Sequence, residues 1–158
     1  YPITELIIHA RTGKQMYNGS TDKTAFEKCI PLSQHPLVYN GDINSIEDFH
    51  ELSILFPSIK KWMIGRGAIR NPFLPFEIKG KNFGSYEKKI KIIEGFHDEL
   101  YRNYSRLLSS KKHLLDRMTG HWEYFSDFFP LGNKLFRKMR KIRTIEEYEE
   151  RIKIIFKD

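Results

Sequence analysis

Three short segments carry residue types suited to anion binding and proton chemistry: His9-Ala10-Arg11-Thr12, Asn40-Gly41-Asp42 and Gly65-Arg66-Gly67. Each follows directly on an apolar run, Leu6-Ile7-Ile8, Leu37-Val38-Tyr39 or Trp62-Met63-Ile64. A glycine at such a point lets main chain approach a phosphate closely enough for its N–H groups to bind it. An adjacent arginine adds a planar fork that meets two phosphate oxygens at once, which lysine does not. Singly, Asn-Gly-Asp and Gly-Arg-Gly read as turns. Spaced as the ends of successive strands, they read as a phosphate cradle. His9 alone would be an ordinary core histidine; Arg11 beside it, at a strand end, makes it a candidate ligand.

A fourth segment, residues 134–143, holds six cations in ten positions with no acid among them. Leu135, Met139 and Ile142 recur at helical spacing and commit one side to packing. Lys134, Arg137, Lys138 and Lys141 then share another face, with Arg140 and Arg143 spread around it. An uncompensated run of this kind suits contacts to phosphates. RNA duplexes are read largely through backbone and shape, so the patch suits RNA better than sequence-specific DNA. Charge across the chain agrees. Residues 1–80 hold nine Lys/Arg against eight Asp/Glu, whereas residues 81–158 hold eighteen against twelve, so nearly all of the net +7 lies in the second half. A near-neutral half joined to a basic half suggests a polyanion-binding module attached to something else.

The elements that must position these residues differ between the halves. In the first, strands are expected at residues 3–9, 35–40 and 62–65, separated by helices at 24–33 and from Ser45 onward, where Asp48 completes a near capping box. Asn71-Pro72 predicts the N-cap and first residue of a short helix. Near-continuous apolar strands alternating with helices predict a parallel sheet covered by helices. In such folds ligands bind beyond the C-terminal strand ends, where the three motifs fall. Three parallel strands cannot close a barrel and leave free edges, through which self-association is plausible. The second half shows no strand pattern. Tyr86, Ile90, Ile93, Phe96, Leu100, Tyr104 and Leu107 predict one amphipathic helix, and 114–129, 133–142 and 145–156 three more, the last with Thr144 and Glu147 as a capping box. Trp122 and Tyr124 read as bundle packing. The single cysteine, Cys29, excludes an internal disulfide, fits a cytoplasmic setting and reads as a buried structural thiol. No apolar run is long enough to cross a membrane, and no secretory signal is written. Tyr1-Pro2-Ile3 reads as a chain cut close to the start of a strand.

Taken in order and spacing, His9-Ala10-Arg11-Thr12, Gln15, Tyr17, Gly19, Asn40-Gly41-Asp42-Ile43 and Met63-Ile64-Gly65-Arg66-Gly67-Ala68 with Asn71-Pro72 resemble the tRNA-dihydrouridine synthases. The similarity is specific over residues 3–77. It continues more loosely through Leu115-Asp116-Arg117-Met118, His121-Trp122-Glu123-Tyr124 and Phe129-Pro130. The resemblance implies an α/β plus all-α chain. Residues 1–80 would be the last three βα units of an FMN-binding TIM barrel, and 81–158 a basic helical tRNA-binding domain. It implies that NADPH reduces FMN, which delivers a hydride to C6 of a flipped-out uridine while a cysteine protonates C5. His9 and Arg11 would lie against the flavin ring or the base. Asn40, Gly41, Asp42, Gly65 and Arg66 would hold ribityl and phosphate, and Gln15, Tyr17 and the cations at 134, 137, 138 and 141 would meet tRNA. The family's Asn-x-Gly-Cys-Pro motif is absent here. Cys29 precedes Ile30-Pro31 with no glycine before it, so no catalytic residue is expected in this chain and no turnover from it alone. A flavin barrel acting on a small molecule, or a non-enzymatic RNA-binding module, shares parts of this pattern.

Overall fold

The computed structural model describes residues 2–16 and 18–157, which fall into two compact units meeting at Lys81 and Asn82. Tyr17, expected at the RNA, lies outside the described residues.

In the first unit, β1 (Leu6–His9), β2 (Leu37–Asn40) and β3 (Lys61–Met63) form a parallel sheet in that order. Leu6 pairs with Leu37, His9 with Asn40, and Asn40 with Met63. The strand ends bearing the polar motifs are therefore in register. Helices α1 (Lys23–Cys29) and α2 (Ile46–Leu55) link the strands. Ser45 caps α2 as expected: its hydroxyl accepts from the Asp48 N–H at 3.0 Å, and the Asp48 carboxylate accepts from the Ser45 N–H at 3.0 Å.

Alternate strand residues fill one core. Leu37 and Tyr39 pack with Phe26, Leu52 and Phe56, with Ile8 and Trp62 against them. Tyr39 sits edge-on to Phe26 at 4.7 Å between ring centres. The opposite face is different, because Ile7 and Met63 are 48% and 45% exposed. Helices thus cover one side of the sheet; the other presents Ile7, His9 and Met63 outward. The parallel sheet expected from the sequence is present, and continuous burial is confined to its central strand, where Leu37, Val38 and Tyr39 are all buried while β1 and β3 leave residues exposed.

Two further differences have local causes. A short helix, α3 (Arg66–Arg70), begins within the Gly65-Arg66-Gly67 segment, while β3 ends at Met63 rather than Gly65. The next, α4 (Leu74–Glu77), starts after a turn that Asn71 organises, its side-chain oxygen accepting from the Phe73 N–H at 3.0 Å. Cys29 is half-buried rather than buried, and its thiol donates to the Ala25 carbonyl at 3.3 Å.

The second unit is helical: α5 (Tyr86–Leu107), α6 (Lys111–Phe125) running into a single 3₁₀ turn, α7 (Gly132–Met139) and α8 (Ile145–Ile155). Its core gathers Met118, Trp122, Met139 and Tyr148, all fully buried. The face α5 buries is largely the one its spacing predicts, with Leu100 and Tyr104 packed against the core, but individual positions shift. Ile93 and His97 are buried, while Phe96 and Leu107 are largely exposed. Among the described residues no helix is long and apolar enough to cross a membrane.

Candidate functional site

At the C-terminal ends of the strands, His9, Asn40, Gly41, Asp42, Gly65 and Arg66 line one cleft of about 190 Å³. Arg11 alone among the residues expected to hold the cofactor does not line it.

The turn after β2 is built to expose main chain. Gly41 has φ 151° and Asp42 φ 43°. A Cβ on Gly41 would stand 2.4 Å from the Thr21 methyl, so both conformation and packing exclude a side chain there. Gly65 behaves differently: its φ is −97°, and nothing lies within 4 Å of where its Cβ would be. Its lack of a side chain serves the open space of the cleft. Gly67 closes the Gly65-Arg66-Gly67 segment singled out in the sequence, where it had no role of its own. Its Cβ would meet the Ile43 carbonyl at 2.1 Å, so α3 packs on the 43–44 main chain only because this residue has none. A second glycine two residues after the strand-end glycine is its signal in the sequence.

Asp42 is the electrostatic centre. One carboxylate oxygen accepts from Arg11 at 2.5 Å and from the Thr21 N–H at 3.0 Å, and the other faces Arg66 at 3.4 Å. Charge-assisted bonds of this kind are shorter and stronger than neutral ones. With those donors in place, Asp42 shapes the cleft and leaves Arg66, about 29% exposed at its side chain, to face it. Arg11 is 3% exposed and donates also to the Asn18 and Gly19 carbonyls, at 2.9 and 2.7 Å. Expected at the flavin ring or the base, Arg11 instead ties the loop after β1 to Asp42. Gln15 is similarly occupied: its amide nitrogen donates to Asn18 and Ser20 carbonyls. His9 is exposed, and its Nδ1 lies 3.0 Å from the Asn40 carbonyl. A carbonyl only accepts, so Nδ1 carries the hydrogen and Nε2 is the nitrogen left for a ligand.

In the helical unit, Met139 is fully buried and Leu135 and Ile142 pack against the core, as their spacing predicts. Lys134, Arg137 and Lys138 are exposed on α7, but the helix ends at Met139 rather than Ile142. Lys141 therefore lies in the following turn, where its N–H reaches the Lys138 carbonyl at 3.2 Å. The chain must leave the helix there because Thr144, the cap of α8, needs extended backbone, with φ −127° and ψ 156°. The cap itself is a variant, since Glu147 reaches back to the Arg143 N–H and not to Thr144. The cations are also not wholly uncompensated: Glu147 and Glu150 of α8 line the same hollow as Lys138 and Lys141. Trp122 and Tyr124 stay with the bundle, Trp122 fully buried and Tyr124 half-buried.

Residues 2–158 match the family described as dihydrouridine synthase (Dus). A probable tRNA-dihydrouridine synthase of Mycobacterium tuberculosis is 28% identical over 151 residues, 90% of this chain and 37% of that protein. The tRNA-dihydrouridine(16) synthase of Cupriavidus necator is 24% identical over 146 residues, 91% of this chain and 44% of that protein. The chain thus spans less than half the length of these relatives.

Proposed function

This chain belongs to the dihydrouridine synthase family, and from that premise we propose that it supplies two parts of a tRNA-dihydrouridine synthase. Its first unit forms the phosphate-binding end of an FMN-binding barrel, and its second a tRNA-binding helical domain. The observation that carries the reading is the convergence of three in-register strand ends on one cleft, with Gly41 and Gly65 bare and Arg66 facing it. Exposed Ile7 and Met63 on the uncovered face of the sheet fit residues that line a barrel interior. The exposed cations of α7 fit phosphate contacts to tRNA.

The residues present fit the phosphate end of FMN. The opened main chain of 40–42 and the space over Gly65 admit a phosphate, and Arg66 supplies charge. Bound FMN, reduced by NADPH, supplies the hydride that saturates the uridine ring. Within this chain, Asp42 holds Arg66 in place, Arg11 holds Asp42, and the Nε2 of His9 offers a hydrogen bond to flavin or base. No residue of this chain is assigned the proton transfer to carbon; Cys29, at the end of α1 and bonded to its own helix, has no part in it. The setting is cytoplasmic, where tRNA and NADPH are available.

The test is a full-length enzyme assayed for NADPH-dependent dihydrouridine formation in tRNA and for retained FMN. Arg66→Ala is expected to weaken FMN binding at least tenfold, since a charged hydrogen bond contributes about 1.5–3 kcal/mol. Cys29→Ser should leave both readouts near wild type. Loss of uridine reduction in Cys29→Ser, or FMN affinity untouched by Arg66→Ala, would overturn the assignment of roles.

A further inference from the structure

The helical unit carries a groove that the cation run does not explain. It lies between the start of α5, the Phe129-Pro130-Leu131 turn, α7 and the end of α8, and encloses about 580 Å³. Pockets that hold small organic ligands run from about 300 to 1,000 Å³. Its floor is apolar, made by Ile90, Leu135, Ile155 and Phe156, and its rim carries Lys91, Lys134, Lys138, Arg151 and Lys157 against one acid, Glu87. We propose that this groove takes an unstacked nucleotide from a single-stranded segment of RNA, the base on the apolar floor and flanking phosphates on the rim. The proposal rests on the tRNA-binding reading above and goes further, because cations alone bind phosphate without selecting an unpaired base.

Two observations favour a nucleotide over other anions with an apolar body. Tyr86 is stacked on Phe128 at 5.8 Å with the rings 14° apart, remains 43% exposed and contributes ring surface to the groove. A flat aromatic wall in a cationic groove is the recurrent platform for unpaired bases. Leu131, which also lines the groove, stands 75% exposed with φ 58° and ψ 36°. A branched side chain is disfavoured in this left-handed backbone, and such residues persist where the surroundings hold them for a purpose. The hold is visible: a Cβ on Gly132 would meet the Ser126 carbonyl at 2.3 Å, so the turn is pinned to the end of α6. Leu131 is thereby fixed as an apolar part of the groove that Tyr86 also lines.

Binding of the intact chain to a short single-stranded oligoribonucleotide, and to an RNA duplex of the same length, separates the contributions. Tyr86→Ala is expected to weaken single-strand binding about tenfold, leave duplex binding unchanged, and be reversed by Tyr86→Phe. Ile154→Glu, at an exposed groove position, should lower single-strand affinity without disturbing the fold, as circular dichroism reports. Arg137, Lys138 and Lys141→Gln should instead weaken both ligands and flatten the salt dependence by up to about 0.9 per lost duplex contact. Equal loss on both ligands in Tyr86→Ala, no loss in a folded Ile154→Glu, or preferential binding of anionic lipid vesicles would overturn the groove. If the triple variant leaves affinity and salt slope unchanged, the RNA reading itself fails, whatever the groove variants do.

Discussion

Among the described residues, a polar cluster in each unit can be compared, and the two are built on opposite plans. In the helical unit, Tyr148 accepts from the Trp122 indole N–H at 3.1 Å and lies 2.7 Å from His97 Nε2, while His97 Nδ1 meets Asp98 at 3.1 Å. One assignment of hydrogens satisfies every bond. The Tyr148 hydroxyl donates to Nε2, and Nδ1–H donates to the carboxylate, which requires a neutral imidazole. The strand-end cluster is built differently. Asp42 draws donors from Arg11, Thr21 and Arg66, yet the buried Nε of Arg11 has no partner. Its carboxylate is still a quarter exposed toward the cleft. A closed network holds a core together. The strand-end network stays partly open, with its central carboxylate facing the cleft.

The comparison can be broken most directly at Tyr148. Tyr148→Phe leaves the Trp122 N–H and His97 Nε2 buried without a partner, and each such group costs about 1–3 kcal/mol. A loss of roughly 3 kcal/mol in denaturant unfolding is expected, with hydrogen-exchange protection falling chiefly in α5, α6 and α8. A loss below about 1 kcal/mol would mean the network is not closed as described.

Arg11→Met comes next, at about 2 kcal/mol or less, because Asp42 keeps Thr21, Arg66 and some water as partners. Its signature is exchange protection lost at residues 12–22 and 40–44. Unchanged protection there would show that Arg11 does not tie the loop to Asp42.

A smaller effect follows from pH. Burial drives the His97 pKa below its ordinary value, against the opposing pull of Asp98; burial and then Arg117 lower that of His121. A histidine depressed in the folded state adds nothing above its unfolded pKa, about 6.5, and loses stability as pH falls below it, because the unfolded chain takes up the proton first. Melting of the helical unit is therefore expected at lower temperature near about pH 5 than near about pH 7. In His97→Gln the slope should flatten. A slope unchanged by that substitution would place the titration elsewhere.

What the sequence made legible was local chemistry. Asn40-Gly41-Asp42 and Gly65-Arg66 announce themselves as strand ends, and Ser45 with Asp48 as a helix start, because each device is complete within a few residues. The apolar spacing of Leu135, Met139 and Ile142 likewise located the buried side of α7. What escaped was non-local. His97 binds a tyrosine 51 positions away, so helical spacing favoured Phe96 as the inward residue. Arg11 reads as a ligand until Asn18, Gly19 and Asp42 are seen to occupy its guanidinium. The exposed face of the sheet was hidden for another reason: Ile7 and Met63 look like core in any apolar run.

Gly67 sets a dimension that no side chain controls. Because α3 rests peptide against peptide on residues 43 and 44, the spacing between the two glycine-bearing strand ends is fixed by the covalent backbone. Side chains along the outer surface of α3 can then drift or be redesigned while the cleft keeps its width. The reverse also holds: a single methyl group at residue 67 would act as a wedge, displacing the helix that carries Arg66 without touching any group that binds.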